Sequence, residues 1–269
     1  MVTRTNRGRD QRVAASRGSL GSRRGAGEAR DGAWLTTILA PEGERQLLVY
    51  HYLEGEALLP SRDAGRFGEL VGRMHHALAD CRLEQPRREL TFRRLTEDTF
   101  DTIVAQLGES HALRTYLEGL RGRVRARALD LGMQSFRVGL CHGDLNFANA
   151  VRQPDGELGL YDFENCGAGM LAYDLATFRW TQQLLGAPEQ TWLDFIDGYR
   201  RCNELPEPEL AGMELLVLTR QLWMIEHDAR RSQIESLGTR WRRTRRTARI
   251  DALRSLDAQV FGTPLEQGW

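Results

Sequence analysis

Two short polar stretches, each placed at the end of an apolar run, constrain this chain more than any other feature. Cys141-His142-Gly143-Asp144-Leu145-Asn146-Phe147-Ala148-Asn149 follows Phe136, Val138 and Leu140, and reads H-G-D-x-x-x-x-N. Asp162-Phe163-Glu164 follows Leu158, Leu160 and Tyr161. Between them, Gln153-Pro154-Asp155-Gly156 has the composition of a tight turn, so the two runs are expected to form a β-hairpin that brings both polar ends together.

Phosphoryl transfer needs such an arrangement, because the protein does little covalent work and mainly positions groups and neutralises charge. One carboxylate must orient an attacking hydroxyl. A second carboxylate and an amide oxygen must hold Mg²⁺, which prefers hard oxygen ligands, against the phosphates. Asp144 fits the first role, and Asn149 and Asp162 fit the second. A polar hairpin loop with a capping Asp and an Asn in a left-handed turn would produce part of the pattern for structural reasons alone. The ordered occurrence of His142, Asp144, Asn149, Asp162 and Asp174 favours chemistry over that alternative.

These residues resemble the catalytic and metal-binding loops of the aminoglycoside phosphotransferase superfamily, a group that includes choline kinases, type II homoserine kinases and bacterial stress-response kinases. The resemblance runs from about Trp34 to about Tyr199. It implies an α+β, protein-kinase-like fold with an N-terminal β lobe, a hinge and a mainly helical C-terminal lobe. It also implies Asp144 as catalytic base, Asn149 and Asp162 as Mg²⁺ ligands, and His142 and Asp174 as structural residues beside the site, with ATP as phosphoryl donor. Glu164 stands where protein kinases carry the glycine of D-F-G, and both a metal or acceptor contact and a solvated turn remain open for it. Asp174 follows Asp162 by only twelve positions, too few for an activation segment with a phosphosite. The acceptor implied is a hydroxyl, on a small molecule or on a protein Ser or Thr.

One departure from the pattern concerns charge. All 37 basic residues are arginine, and the sequence contains no lysine. Kinase-like folds use a lysine on the third N-lobe strand to hold the α- and β-phosphates, and the planar fork of arginine is a poor copy of a compact ammonium. Residues 1–30 hold eight arginines among Gly and Ser with scarcely any apolar pattern, and read as a disordered tail. Residues 31–55 then supply a strand from Trp34 to Leu39, a turn at Pro41-Glu42-Gly43-Glu44, and a second strand from Gln46 into a hinge at His51, Tyr52, Leu53 and Glu54, whose backbone is expected to meet adenine. The expected result is a reduced or truncated N-lobe, followed by a helical C-lobe over residues 56–269.

The remaining segments read as scaffolding. A helix from Ser61 carries Phe67, Leu70, Val71, Met74 and Leu78 at helical spacing, with His75 and His76 assigned to packing or the surface. Residues 95–130 form amphipathic helices, with Arg121, Arg123, Arg125 and Arg127 on a solvated face. Trp192–Tyr199 and Leu210–Glu226 add two helices, the second strongly apolar; Trp223, Glu226, His227 and Asp228 on it suit a core and helix end better than an acceptor wall. The Arg240–Arg246 run reads as a solvated terminal helix rather than an anion site.

Composition closes off several classes. With 269 residues, 41% hydrophobic and formally neutral, the chain can bury roughly 70–75% of its unfolded surface. No apolar run approaches the roughly 18 residues of a membrane span, and the basic N-terminus lacks a signal-peptide core, so a cytoplasmic protein is expected. Cys81, Cys141, Cys166 and Cys202 show neither C-x-x-C nor Cys/His metal spacing, which points to reduced, packed thiols. Two further readings stand beside the kinase: a catalytically impaired remnant that binds a nucleotide or a partner, favoured by the missing lysine, and an Arg-rich nucleic-acid binder. The second is the weaker, since residues 1–30 hold no aromatic residue to stack on bases.

Overall fold

The computed structural model describes residues 35–81, 89–106, 111–234 and 239–262. The expectations for residues 1–30 and for Trp34 fall outside these residues. Strands β1 (Thr36–Ala40), β2 (Gly43–Leu47) and β3 (Glu56–Ala57) lead into α1 (Pro60–Ala77), then β4 (Glu89–Leu90), α2 (Phe92–Leu95), α3 (Glu97–Gln106) and α4 (His111–Asp130). Next come β5 (Val138–Cys141), β6 (Ala150–Arg152), β7 (Leu158–Leu160) and β8 (Gly167–Met170). Five helices follow: α5 (Leu171–Leu184), α6 (Glu189–Cys202), α7 (Glu207–Ala211), α8 (Met213–Ile234) and α9 (Thr239–Phe261).

The result is an α+β fold in which one β-hairpin stands ahead of a mainly helical body. In that hairpin, Ala40 pairs with Gly43. The turn is therefore Pro41-Glu42 alone, shorter than the four residues expected, because Gly43 adopts φ +114° and carries the chain directly into β2.

The strands of the body differ from expectation in one pairing. β6 and β7 form the hairpin around the turn at residues 153–156, and β3 adds to its outer edge. β5 belongs instead to a second sheet, antiparallel to β8 with Val138 opposite Met170 and Cys141 opposite Gly167. The physical reason is local. The polar loop 142–149 turns the chain between β5 and β6, so the segment after Asn149 lies next to the Gln153–Gly156 turn and pairs first with β7.

α1 begins at Pro60, whose fixed φ suits a first helical position, and Asp63 sits in its first turn. The fully buried Asp63 carboxylate accepts the Leu59 amide at 2.8 Å and forms an ion pair with Arg152, which ties β6 to the start of the helix. α1 crosses α6 at glycines: a Cβ on Gly68 would meet the Phe195 carbonyl, so only glycine permits this approach. The two helices and α5 enclose an aromatic cluster of Phe67, Phe147, Phe178 and Phe195, with Phe178 and Phe195 stacked at 4.1 Å between centroids. α5 is buried nearly all round from Leu171 to Phe178, as a helix apolar on every face should be.

Two helical expectations need correction. The apolar stretch from Leu210 is broken at Gly212, which lies against the Phe136 ring, so α7 ends before α8 begins. The arginines of α4 are not simply a solvated face. Arg121 pairs with Glu97 and with Asp101 at 2.7 Å, Arg125 with Glu97 at 3.2 Å, and Arg123 with the buried Asp257 of α9 at 2.7 Å. The Arg240–Arg246 run lies in α9.

Candidate active site

The H-G-D loop is held from beneath by one buried carboxylate. Asp174, in the first turn of α5, accepts the Gly143 amide on Oδ1 at 2.7 Å and the His142 amide on Oδ2 at 2.7 Å. His75 Nε2 reaches the same Oδ2 at 3.0 Å, and its Nδ1 lies 3.0 Å from the Tyr199 hydroxyl. A carboxylate oxygen that already takes an amide can only accept, so Nε2 carries the proton. His75 and Asp174 are fully buried, and their contacts join α1, α5, α6 and the loop.

Backbone geometry and packing complete the anchoring. Gly143 has φ +82°, and its Cα lies against the Asn165 carbonyl with no room for a Cβ. His142 Nδ1 accepts the Asp144 amide at 3.3 Å, while Nε2 donates to the Tyr161 carbonyl at 2.9 Å and the ring packs on Phe163 at 4.5 Å. Leu145 is fully buried, and Phe147 inserts into the aromatic cluster, 5.0 Å from Phe178. The apolar positions of the motif therefore hold the loop while its polar positions face one another.

Asp144 remains half-exposed. Its carbonyl accepts from Asn146 Nδ2 at 3.0 Å and from Asn149 Nδ2 at 2.8 Å, and its Oδ2 lies 3.3 Å from the latter. Since Asn149 directs its NH₂ group at Asp144, its Oδ1 is the end left for another partner. The Tyr161 amide donates to the Asn149 carbonyl at 3.0 Å, which puts Asp162 one residue from direct contact with Asn149. Asp162 adopts φ +66°, alone among the described residues other than glycine, and Glu164 is exposed in the turn that follows. The structure thus brings His142, Asp144, Asn149, Asp162 and Asp174 into one region, with Glu164 at its surface. Among the described residues no group of three or more His, Cys, Asp or Glu could hold a metal ion. An amide oxygen and a carboxylate instead suit a cation that completes its shell with phosphates and water.

One partner of Asp144 has no counterpart in the motif. Arg220 of α8 forms an ion pair with Asp144 Oδ1 through Nη2, and its Nη1 donates to the Gly143 carbonyl at 3.2 Å. Only 4% of the Arg220 side chain is exposed, against 28% for Asp144. Its flat faces lie over Trp223 at 4.5 Å and Trp180 at 5.6 Å, cation–π distances that fix the plane of the guanidinium. Burial pushes the Tyr173 phenol up, while the charge of the neighbouring Arg220 and a hydrogen bond from it pull it down.

Other candidate residues lie at the edges of the site or away from it. In the expected hinge, His51, Tyr52 and Glu54 are exposed, and Leu53 packs against Gly159 of β7, so the segment runs along the site hairpin before β3 joins β6. Glu226 faces away, bound by Arg94 at 3.1 Å, Arg230 at 2.8 Å and Thr99 at 3.0 Å; Asp228 pairs with Arg249 at 3.1 Å. Cys141 and Cys166 are free thiols; burial raises Cys141 well above its usual value and Cys166 to about 11. Neither is prepared to act as a nucleophile.

A model of the phosphotransferase enzyme family matches residues 30–205. An uncharacterized protein of Deinococcus radiodurans is 35% identical over 200 residues, which cover 72% of this chain and 58% of that protein. One from Synechocystis is 25% identical over 199 residues, covering 72% and 55%. The chain spans little more than half the length of these curated relatives. Among solved structures, a microcompartment-associated aminopropanol kinase superposes with a TM-score of 0.69 at 20% identity, over 93% of this chain and 79% of that one. An amicoumacin kinase in complex with AMP-PNP and Ca²⁺ gives 0.62 at 17% identity over 90% and 73%. The choline kinase of Streptococcus pneumoniae gives 0.56 at 17% over 82% and 74%. At these identities the likeness is one of fold.

Proposed function

The chain belongs to the phosphotransferase enzyme family, and on that premise we propose that it moves the γ-phosphate of ATP to a hydroxyl group of a small molecule. Asp144 orients the hydroxyl and takes its proton. Asn149 Oδ1 and Asp162 hold Mg²⁺, which neutralises phosphate charge when bound; their hard oxygen donors fit that ion. The backbone of His51–Glu54 meets the adenine. The observation that carries this reading is the setting of Asp144: a half-exposed carboxylate on a loop whose backbone is fixed by buried Asp174, with Asn149 turned so that its Oδ1 is free for a cation. Positioning of this kind is most of what phosphoryl transfer asks of a protein.

Thermal unfolding with and without Mg-ATP tests the assignment. A ligand bound only to the folded state raises stability by mass action, so Mg-ATP should raise the Tm of the wild-type chain and fail to do so in Asp162→Ala. Equal stabilisation of both proteins would remove Asp162 from the site. A second reading, a nucleotide binder without turnover, is favoured by the absence of lysine from the sequence. It predicts the same stabilisation with no transfer of labelled phosphate.

A further inference from the structure

We infer that Arg220 is the cation that receives the transferring phosphoryl group, and that its pairing with Asp144 is the resting arrangement which that group displaces. This rests on the phosphotransferase reading above.

Two features of the ion pair lead there. Arg220 is buried, and among the described residues Asp144 is the only carboxylate within ion-pair distance of it. In the proposed reaction, a bond forms between the acceptor oxygen and the γ-phosphorus while the bond from that phosphorus to the bridging oxygen of ADP breaks. ADP leaves with the electron pair, and the acceptor proton ends on Asp144. Protonated Asp144 is neutral, which would strand Arg220 as a buried cation without a counter-ion, an arrangement far less tolerable than the intact pair. The γ-phosphoryl group of bound Mg-ATP, with its charge spread over three oxygens, supplies that countercharge from the time the nucleotide binds, before the proton moves.

The second feature is competition. Nη2 of Arg220 occupies Asp144 Oδ1, one of the two oxygens that could take the acceptor proton. Transfer of Nη2 to a phosphoryl oxygen frees that oxygen. Trp223 and Trp180 hold the faces of the guanidinium and the Gly143 carbonyl holds Nη1, so the Nη2 edge is the part left to exchange one anionic oxygen for another. A planar fork is suited to phosphate oxygens. Neither the H-G-D loop nor the D-F segment contains a cation for this task, and the charge comes from α8, outside the loops that define the site.

Calorimetric titration of the full chain with Mg-ATP and with Mg-ADP tests the contact without an acceptor. The wild-type chain is expected to prefer Mg-ATP. Arg220→Met should lose roughly 10- to 100-fold in Mg-ATP affinity, the worth of a charge-assisted hydrogen bond, while Mg-ADP affinity stays within about twofold and reports an intact fold. Arg220→Lys, which keeps the charge, should fall between. Asp144→Asn releases the guanidinium from its resting partner and should raise affinity for Mg-ATP alone. Equal loss for both nucleotides, no loss for either, or an Asp144→Asn chain with unchanged Mg-ATP affinity would overturn the inference; Arg220 would then only brace Asp144, and the phosphotransferase reading would stand if Mg-ATP binding still requires Asp162. A wild-type chain that binds neither nucleotide would overturn both.

Discussion

His75 Nε2 lies 3.0 Å from the Asp174 oxygen that also accepts the His142 amide, so a side chain of α1 fixes the backbone from which Asp144 projects. Removal of the carboxylate in Asp174→Ala leaves two buried amides and a buried imidazole without an acceptor. The expected loss is about 3–5 kcal/mol, with about 1–3 kcal/mol for His75→Ala, which spares the amide bonds. Chemical denaturation measures both, and a loss below about 1 kcal/mol in Asp174→Ala would show that the carboxylate is not what anchors the loop.

Gly143→Ala should damage turnover more than folding. Its φ of +82° and the Asn165 carbonyl against its Cα force the loop to shift if a methyl group is added. A displacement of about 1 Å at a reacting group can lower turnover by about 10²-fold, while the left-handed backbone adds roughly 1–3 kcal/mol of strain. Turnover equal to wild type in a folded Gly143→Ala chain would contradict this.

Glu226 predicts a pH dependence of stability. Burial works to raise its carboxyl, but hydrogen bonds and charge from Arg94, the charge of Arg230 and the Thr99 hydroxyl outweigh burial and hold it below its usual range. A depressed carboxyl stabilises the fold fully above its unfolded value of about 4.3, and that contribution disappears as pH falls through the folded value. Glu226→Gln should therefore be less stable than wild type at neutral pH, with the gap closing below about pH 4. Urea titrations across that range check the sign, and a gap that does not change with pH would refute the linkage.

Cys141 should resist alkylation in the native chain. It is fully buried, donates its thiol to the Met170 carbonyl at 3.3 Å, and is pushed well above its ordinary value by burial. Only the thiolate reacts. Iodoacetamide labelling at pH 8 read by mass spectrometry should modify Cys141 only under denaturing conditions. Rapid native labelling would show that the strand opens.

How much of this was legible in the sequence follows from how far apart the interacting groups lie along the chain. The turn at Gln153–Gly156 is local chemistry and reads directly. The partner of β5 does not, because its choice of β8 over β7 depends on how the polar loop redirects the chain. Arg123 meets Asp257 across 134 residues, and nothing in the α4 segment announces that carboxylate. His75 offered a signal in its phase: Phe67, Val71 and His75 recur at four-residue intervals and share the buried face of α1. Arg220 offered another, as a lone charge inside the apolar stretch from Leu215 to Trp223. What the sequence did not contain was the rotation of α8 that sets Arg220 against Asp144, a contact made across 76 residues.

The role of Asp144 is tested most directly by transfer of labelled γ-phosphate from Mg-ATP to a panel of small hydroxyl compounds, with wild type and Asp144→Ala compared at matched nucleotide occupancy. A positioned base contributes roughly 10²- to 10⁴-fold, so turnover in Asp144→Ala should fall by that factor while Mg-ATP still binds. Undiminished transfer by Asp144→Ala would contradict the assignment of the H-G-D aspartate and the mechanism built on it.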